Sequence, residues 1–393
     1  MKSKIERLKP YAIKGLSRLT DFRVVIAVYI VAALVSCTVK CIMSKGDPGV
    51  YPIYRQAFFN LIQMKDLYKA YPGIDYFLYT PTFPILIAPF AVLPMGLGAV
   101  LWGIANVIPF LAAIKLLPLS EFRKALVAWL AFMPVLNNLQ HFQSNVIVCA
   151  LILLAFASFE REKPLWAALC LALGFFIKVY VIGFAVIFLF YPQKIKFLVY
   201  MALSFAAFLV LPLLIVPHDH FLFLYERWFD ALRLDTSSNI NFMGILKGWF
   251  NIYIHEVHIQ MYSLLYLILP LFLFFRYKEL KFRLLYMALL LIWVVIFSHK
   301  AESPSYVIAV TGTALWFTAQ NKFRMRYIAL IVFMFLFTCL SSTDLFPRLF
   351  RNFFFTPYGI KAIPCIVIFF VCIYQLLSFT VKKKQEKKEL ADA

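Results

Sequence analysis

The sequence predicts an all-α polytopic membrane protein, and three observations support this. First, 63% of the 393 residues are hydrophobic and only 15% are charged, whereas soluble domains average about 45–50% apolar and 25% charged residues. Second, the apolar residues form runs long enough for membrane helices. Third, Lys and Arg cluster between those runs, which is typical of cytoplasmic loops.

The apolar runs predict about twelve membrane spans. These are 24–43, 97–117, 122–138, 144–159, 164–177, 179–191, 196–216, 260–275, 284–298, 304–320, 327–341 and 360–381. A further run, 81–94, is interrupted by prolines, and we expect it to be a surface or re-entrant segment. If 81–94 crossed the membrane fully, 164–191 would instead be one kinked helix.

The basic clusters set the orientation. The basic N-terminus 1–23 and the basic tail 382–393 are predicted to be cytoplasmic, which requires an even number of spans. The loops 44–80 and 217–259 then lie on the outer face. Since no soluble domain or internal repeat is visible, we expect one domain over 1–393. The net charge of +20 is explained by these loops next to anionic lipid, so nucleic acid is not an expected partner.

Seven cysteines lie in apolar segments, and none is spaced from His residues as a metal site would require. They are interpreted as packing residues. We expect no metal and no cofactor.

Polar residues collect at the predicted outer ends of several spans. They are Asp47, Tyr54, Arg55, Tyr79, Gln143, Asn145, Lys178, His299, Lys300 and Glu302. Cations bind phosphate, and a carboxylate can remove a proton from a hydroxyl nucleophile. Such a set suits a sugar joined to a lipid phosphate.

Each of these residues also has a structural interpretation. Asp47 precedes Pro48, and this pair fits the start of a helix. Lys178 could extend to a membrane interface. Gln143 and Asn145 could join helices, and His299 with Glu302 could form an ordinary exposed turn.

Two other function classes fit an apolar protein of this size. A transporter or flippase would carry polar residues along several spans and often an internal repeat, whereas here they concentrate at one face. A lipid-linked oligosaccharide polymerase or ligase is the second alternative. The family resemblance described next, which includes the carboxylate directly after the first span, favours a glycosyltransferase over it.

Two consecutive stretches carry a family resemblance. "GDPGVYPIYRQAFFNLIQMKDLYKAYP" and "FLYTPTFPILIAPFAVLPMGLGAVLWGIANV" resemble the polyprenyl-phosphate-mannose-dependent mannosyltransferases of the GT-C superfamily, glycosyltransferase family 87. The matching positions are Asp47, Tyr54, Ala57, Leu67-Tyr68, Phe77 to Pro81, Leu93-Pro94 and Leu101-Trp102.

Three later stretches extend the resemblance over roughly residues 20–310. "HFQSN" resembles the family's Gly-Gln-x-Asn, with Phe142 in place of Gly. "FIKVY" resembles its Lys-Pro segment, with Val179 in place of Pro. "SHKAES" stands at the family's Ser-Trp-x-His-His turn and retains one His, His299.

The resemblance implies a GT-C-type helical bundle with short periplasmic loop helices, in a bacterial inner membrane, with the active site on the periplasmic face. It implies a polyprenyl-phosphate sugar donor, with mannose as the sugar, and a cell-envelope glycolipid or glycan acceptor. Asp47 would be the general base of an inverting displacement. The residues implied to hold the leaving phosphate are Arg55, Lys178 and His299. Those implied to contact sugar or acceptor are Tyr54, Tyr79, Gln143, Asn145, Lys300 and Glu302.

Overall fold

A computed structural model of the protein describes residues 19–44, 49–233, 240–341, 343 and 345–389. Contacts divide the chain into two compact units. The first is Met1–Phe188 with Gln193–Asp235, and the second is Leu189–Pro192 with Thr236–Ala393. Across the described ranges, the secondary structure is helical and no β-strand is present, apart from an isolated bridge between Tyr71 and Ile74.

The first unit is built from nine α-helices within its described residues. They are α1 (Phe22–Met43), α2 (Tyr51–Ile62), α3 (Phe83–Ala91), α4 (Met95–Leu116), α5 (Glu121–Gln140), α6 (Asn145–Phe159), α7 (Pro164–Ile177), α8 (Lys194–Val210) and α9 (His218–Leu232). A 3-10 helix, Val179–Phe190, follows α7, and a second, Leu211–Leu214, extends α8. The most enclosed helix is α6, which packs against α4 and α7.

The second unit contains the later helices. They are α10 (Phe242–Phe250), α11 (Glu256–Ile268), α12 (Leu280–Ile296), α13 (Tyr306–Thr318), α14 (Met325–Met334) and α15 (Ile363–Glu389). Short 3-10 or π-helical pieces extend them at Leu269–Phe272, Phe335–Cys339 and Ile360–Ala362. The adjacent helices α12 and α13 are buried on nearly all sides and form the core of this unit.

Each predicted span coincides with a helix of the described chain. Four segments are long and apolar enough to cross a membrane by themselves, namely Phe22–Met43, Met95–Leu116, Lys194–Leu214 and Ile360–Ser378. The other apolar helices are shorter, so the number of crossings stays a prediction. Helix α3 has nine residues and is about 14 Å long, less than half the roughly 30 Å hydrocarbon core. The run 81–94 therefore fits the surface or re-entrant alternative.

Helix α1 shows how this chain meets lipid. Its buried residues form one narrow stripe that includes Val25, Tyr29, Ala33 and Cys37. Apolar side chains on its other faces, such as Val31, are exposed. A core helix of a soluble protein would carry polar residues on an exposed face. The exposed apolar faces thus indicate a helix surrounded by hydrocarbon.

The end of α3 is secured by side chains from α2. Pro94 has no N–H, so the Phe90 carbonyl loses its α-helical donor. The Tyr51 hydroxyl donates to that carbonyl at 2.8 Å, and Arg55 Nε donates to the Ala91 carbonyl at 3.0 Å. Burial raises the pKa of Tyr51 to about 12, so the phenol stays protonated and able to donate.

Two buried threonines secure two further helix breaks. Pro212 removes the donor for the Phe208 carbonyl, and Thr82 Oγ1 donates to it at 2.9 Å. The Phe176 carbonyl lies at the break after α7, and Thr80 Oγ1 donates to it. Thr80 and Thr82 are 1% and 0% exposed. The segment around Tyr79 is therefore packed inside the unit and is not a surface loop.

We predict that Gly98→Ala destabilises the protein. A Cβ at Gly98 would collide with the Tyr51 hydroxyl and the Phe90 carbonyl, the pair that secures the end of α3. Overpacking of this kind costs about 1–3 kcal/mol, so thermal unfolding of the purified protein in detergent should begin several degrees lower.

The matched control is Gly96→Ala, two residues away in the same helix. A Cβ there meets nothing within 4 Å, and alanine favours helix over glycine by roughly 0.5–1 kcal/mol. Its melting temperature should equal or exceed that of the wild type. Equal melting of the two variants would show that the contact at Gly98 is unimportant.

Candidate active site

Tyr79 is the centre of a polar cluster in the first unit. Its hydroxyl lies 2.6 Å from that of Tyr54 and accepts a hydrogen bond from Ser144 Oγ at 3.2 Å. The Lys178 ammonium lies over the Tyr79 ring, 4.9 Å from its centroid. We call Tyr54, Tyr79, Ser144 and Lys178 the Tyr79 cluster. Three of the residues predicted from sequence are thus brought together.

Aromatic packing and a hydrogen bond fix the position of Tyr79. The Tyr79 ring stacks on Phe83 at 4.5 Å. The Tyr68 hydroxyl donates to the Tyr79 carbonyl at 2.9 Å. Burial raises the pKa of Tyr68 well above its ordinary value, and the nearby Tyr225 phenol and Asp66 carboxylate add to the shift. Tyr68 therefore remains a neutral donor, and the Tyr79 backbone has little freedom to move.

Lys178 reaches this cluster because the chain breaks there. It directly follows α7 as the C-cap residue and has an extended backbone, with φ −141° and ψ 113°. Its ammonium is partly exposed and its cation–π contact is worth about 0.5–1 kcal/mol at such a site. That contact aims the charge but leaves N–H groups for an anion, since an ammonium has three donors.

The turn between α5 and α6 supplies Ser144, which sequence reasoning missed. Gln143 is 9% exposed, and its backbone N–H donates to the Asn138 carbonyl at 3.2 Å. Asn145 is 2% exposed and begins α6. Ser144 lies between these two predicted residues, and the motif spacing alone carried no sign that its hydroxyl would bond to Tyr79.

The chain that leads into α2 docks on the same turn. The Val50 N–H donates to the His141 carbonyl at 3.2 Å. Gly49 has φ +57°, and a Cβ on it would lie 2.7 Å from the His141 carbonyl oxygen. Asp47, the predicted general base, lies outside the described residues. Gly49 follows it by two positions in the sequence.

Arg55 has partners away from the Tyr79 cluster. Its Nε donates to the Ala91 carbonyl, and its guanidinium lies 4.8 Å from the centroid of the Phe59 ring. Neighbouring positions on an α-helix differ by about 100° in direction. Tyr54 can therefore point to Tyr79 while Arg55 secures the end of α3. The predicted phosphate contact of Arg55 stays a prediction.

In the second unit, His299 lies between two side chains of α11. Its Nε2 is 3.6 Å from Glu256 Oε1, and its Nδ1 is 3.4 Å from Gln260 Nε2. The Gln260 amide also donates to the Phe297 carbonyl at 3.2 Å. This arrangement fixes the imidazole ring and places a carboxylate beside it.

Lys300 and Glu302 belong to the same turn as His299. The Lys300 N–H donates to Ser298 Oγ at 3.3 Å. Glu302 and Ser305 form a reciprocal capping box at the start of the helix that leads into α13. Their predicted roles toward a sugar or acceptor stay predictions.

Lys361 is a buried cation that the sequence analysis did not select. It is 6% exposed, its Nζ donates to Ser303 Oγ at 2.6 Å, and it lies 5.4 Å from the centroid of the Tyr306 ring. Charged residues within apolar helices are costly and usually functional. The signal was present, since Lys361 interrupts the apolar stretch that begins the final predicted span.

Comparison with known families decides the class of protein. The sequence model of glycosyltransferase family 87 matches residues 77–343. The chain belongs to glycosyltransferase family 87. No curated protein matches it in a sequence comparison. It is a membrane glycosyltransferase, with a sugar donor and an acceptor as substrates.

This glycosyltransferase departs from the family pattern at Phe142, yet the backbone there suits glycine. Phe142 has φ +53°, in the left-handed region that a residue with a Cβ rarely adopts. Its side chain is 1% exposed, and its carbonyl accepts a hydrogen bond from Trp102 Nε1 at 3.0 Å. Packing and this hydrogen bond offset the strain, so the turn does not depend on glycine.

The second departure, Val179 for proline, is explained in the same way. A residue before proline is driven to extended φ and ψ, and Lys178 has that conformation. Val179 is then the first residue of the 3-10 helix, where the fixed φ of proline would also fit. At both positions the backbone has a conformation that the expected glycine or proline would favour, although neither residue is present.

We predict that Gly49→Ala lowers sugar transfer about 10²-fold, since a misplacement of 1 Å near a catalytic group can have that effect. The added Cβ would push the chain away from the His141 carbonyl and move the segment that carries Asp47. Initial rates of the purified enzyme with a lipid-linked sugar donor would measure this.

Gly73→Ala is the matched control. Gly73 also has positive φ (+74°), but a Cβ there meets nothing within 4 Å. Both variants bear the backbone strain, and only Gly49→Ala disturbs the turn. Equal loss of transfer in the two variants would mean that strain alone, and not the contact with His141, is responsible.

Proposed function

We propose that this glycosyltransferase transfers a sugar from a polyprenyl-phosphate donor to a cell-envelope glycolipid or glycan, with inversion at the anomeric carbon. The observation that carries the proposal is the Tyr79 cluster, in which a partly exposed ammonium is held beside phenol and hydroxyl groups. Family membership supports the transfer of a sugar. The donor class and the inverting mechanism are inferred from the family resemblance, and the residue types at the site support them.

Lys178 is proposed to hold the leaving phosphate. When the bond between the anomeric carbon and the phosphate oxygen breaks, the electron pair goes to that oxygen and negative charge develops on it. An ammonium aimed at this oxygen stabilises that charge more than the ground state, which is what catalysis requires. The phosphate then leaves without accepting a proton, and the ammonium does this without a metal.

Asp47 is proposed to accept the proton of the acceptor hydroxyl as its oxygen attacks the anomeric carbon. Two residues of chain span at most about 7 Å, and Gly49 is docked on the α5–α6 turn. Ser144 of that turn bonds to Tyr79, and His141 precedes Ser144 by three residues. These spacings are compatible with a sugar bound between the Asp47 carboxylate on one side and the phosphate at Lys178 on the other.

Tyr54, Tyr79, Gln143 and Asn145 are proposed to contact the sugar or the acceptor. Phenol and amide groups are suitable donors and acceptors for sugar hydroxyls. His299, Lys300 and Glu302 are proposed for the same substrates on the strength of the family resemblance. Mannose as the transferred sugar rests on that resemblance alone. The active site is proposed to face the periplasm.

A lipid-linked donor is favoured over a nucleotide sugar. Nucleotide-binding domains of the doubly wound kind use a parallel sheet, and the described ranges of this chain contain helices only. Exposed apolar helix faces such as that of α1 offer surfaces for a lipid chain.

We predict that Asp47→Asn reduces transfer about 10²–10⁴-fold, the usual effect of losing a general base. The amide keeps the shape of the side chain but cannot accept the proton. Transfer from a labelled polyprenyl-phosphate sugar would be followed with purified protein in nanodiscs. Thermal unfolding of the same sample checks that the variant is folded.

Asp75→Asn is the control, because Asp75 is an exposed carboxylate of the same loop whose Oδ1 accepts the Tyr76 N–H. It should retain nearly full activity. If Asp47→Asn retained activity like Asp75→Asn, Asp47 would be only a helix cap.

We predict that Lys178→Met lowers kcat about 10²–10³-fold, as expected when one group that stabilises transition-state charge is removed. Methionine keeps the apolar stem of the side chain over Tyr79. Lys115→Met, at an exposed lysine paired with Glu121, should leave kcat unchanged. Wild-type donor kinetics in Lys178→Met would place the phosphate elsewhere.

A further inference from the structure

A groove of about 430 Å³ runs between α1 and α5 in the first unit. Helix α1 contributes one face, at positions separated by three or four residues. The lining residues are Ala32, Val35, Ser36, Val39, Lys40, Met43, Leu136, Gln140 and His141. From Ala32 to Met43 the groove follows α1 for about 16 Å.

The groove is apolar along its length and polar at one end. The two helices run in the same direction, since Tyr29 bonds to the Ala128 carbonyl near their starts and their C-terminal portions line the same groove. Lys40, Gln140 and His141 therefore lie together near the C-terminal ends of both helices. Such a groove suits a lipid that has one hydrocarbon chain and an anionic head group.

Two side chains give the polar end its chemistry. Lys40 brings an ammonium group on a partly buried stem. His141 Nδ1 lies 2.8 Å from the Asn137 carbonyl, which fixes the ring so that Nε2 is the nitrogen left to face a ligand. Deeper in the groove, the Ser36 hydroxyl is buried and has no hydrogen-bond partner among the described residues.

The polar end adjoins the proposed active site but is distinct from the Tyr79 cluster. His141 lines the groove, and its carbonyl accepts the Val50 N–H. Three residues later, Ser144 bonds to Tyr79. The α5–α6 turn thus carries the polar end of the groove at its start and the Tyr79 cluster at its end.

The shape of the groove selects the kind of lipid. It is one helix face wide, which suits one chain, whereas a diacyl phospholipid would need room for two. The polar end favours a phosphate over a neutral head group. The Lys40 ammonium donates charge-assisted hydrogen bonds to phosphate oxygens, and Nε2 of His141 does so when the imidazole is protonated. A polyprenyl chain with a phosphate meets both requirements.

We propose that the α1–α5 groove binds the polyprenyl phosphate of a lipid-linked acceptor, with its phosphate at Lys40 and His141. The inference rests on the proposed function, which assigns the donor phosphate to Lys178. Donor and acceptor would then both be lipid-linked, and their head groups would approach the α5–α6 turn from its two ends. The groove itself performs no chemical step.

The test uses the full-length protein in nanodiscs and a sugar-free polyprenyl phosphate that carries a diazirine on its second isoprene unit. After irradiation, mass spectrometry should find the label on peptides that contain 32–43 or 136–141. Unlabelled polyprenyl phosphate should compete with the probe, whereas neutral polyprenol should not.

The variant Lys40→Gln/His141→Gln should lower this labelling about tenfold or more, because the loss of even one charged hydrogen bond has about that effect. Lys115→Gln is the matched control and should label as the wild type does. Lys178→Met should also leave these peptides labelled. Equal competition by polyprenol, equal labelling by a diazirine phospholipid, or full labelling of the double variant would each overturn the proposal.

Transfer kinetics test the acceptor assignment separately. The double variant should raise KM for a lipid-linked acceptor about tenfold and leave KM for the donor unchanged. A rise in donor KM instead would overturn the assignment. Labelling does not require turnover, so an enzyme that labels in the groove but lacks transfer refutes the proposed function and retains the lipid-phosphate site.

Discussion

The structure depends on what happens to a backbone carbonyl where a helix breaks among apolar neighbours. Hydrocarbon offers no water to replace a lost donor, so each freed carbonyl must be bonded by protein. In the first unit the donors come from α2 and from the segment that directly precedes α3. Tyr51 serves the break at Pro94, Thr82 serves the break at Pro212, and Thr80 serves the break after α7. A short stretch of chain thereby fixes the ends of three helices.

The position of the Tyr79 cluster follows from the same hydrogen bonds at the helix breaks. Tyr79 lies at a bend in the chain, and its side chain and that of Thr80 have different partners. Thr80 is directed to the buried Phe176 carbonyl, and the neighbouring Tyr79 is directed to Tyr54 and Ser144. The break that requires Thr80 is also the one that turns Lys178 toward the Tyr79 ring. The helix break after α7 thus both frees the carbonyl that Thr80 bonds and positions the Lys178 ammonium. The same hydrogen bonds that fix the helix ends therefore also restrict the site.

Helix positions were predictable from sequence because apolar runs and their proline and basic boundaries are local patterns. The grouping of Tyr54, Tyr79 and Lys178 was predictable only through the order of the family motifs. The position of Arg55 was not, since its partner is the Ala91 carbonyl of another helix. Thr80, Thr82 and Ser144 escaped notice for the same reason: a hydroxyl gives no sign in the sequence of which distant carbonyl or phenol it will meet. The α1–α5 groove exists because these two helices are neighbours. The hydrophobic periodicity of the sequence does not show which helices pack together.

Winding as a 3-10 helix gives Val179–Phe190 a greater reach than its residue count suggests. Its twelve residues extend about 24 Å at the 3-10 rise of 2.0 Å per residue, against about 18 Å as an α-helix. The tighter winding thus lets a short apolar segment approach the thickness of the hydrocarbon core. Rewinding it as an α-helix would shorten it by about 6 Å and draw Lys178 along the helix axis by a comparable amount. The winding of this segment therefore sets where the Lys178 ammonium lies along the helix axis.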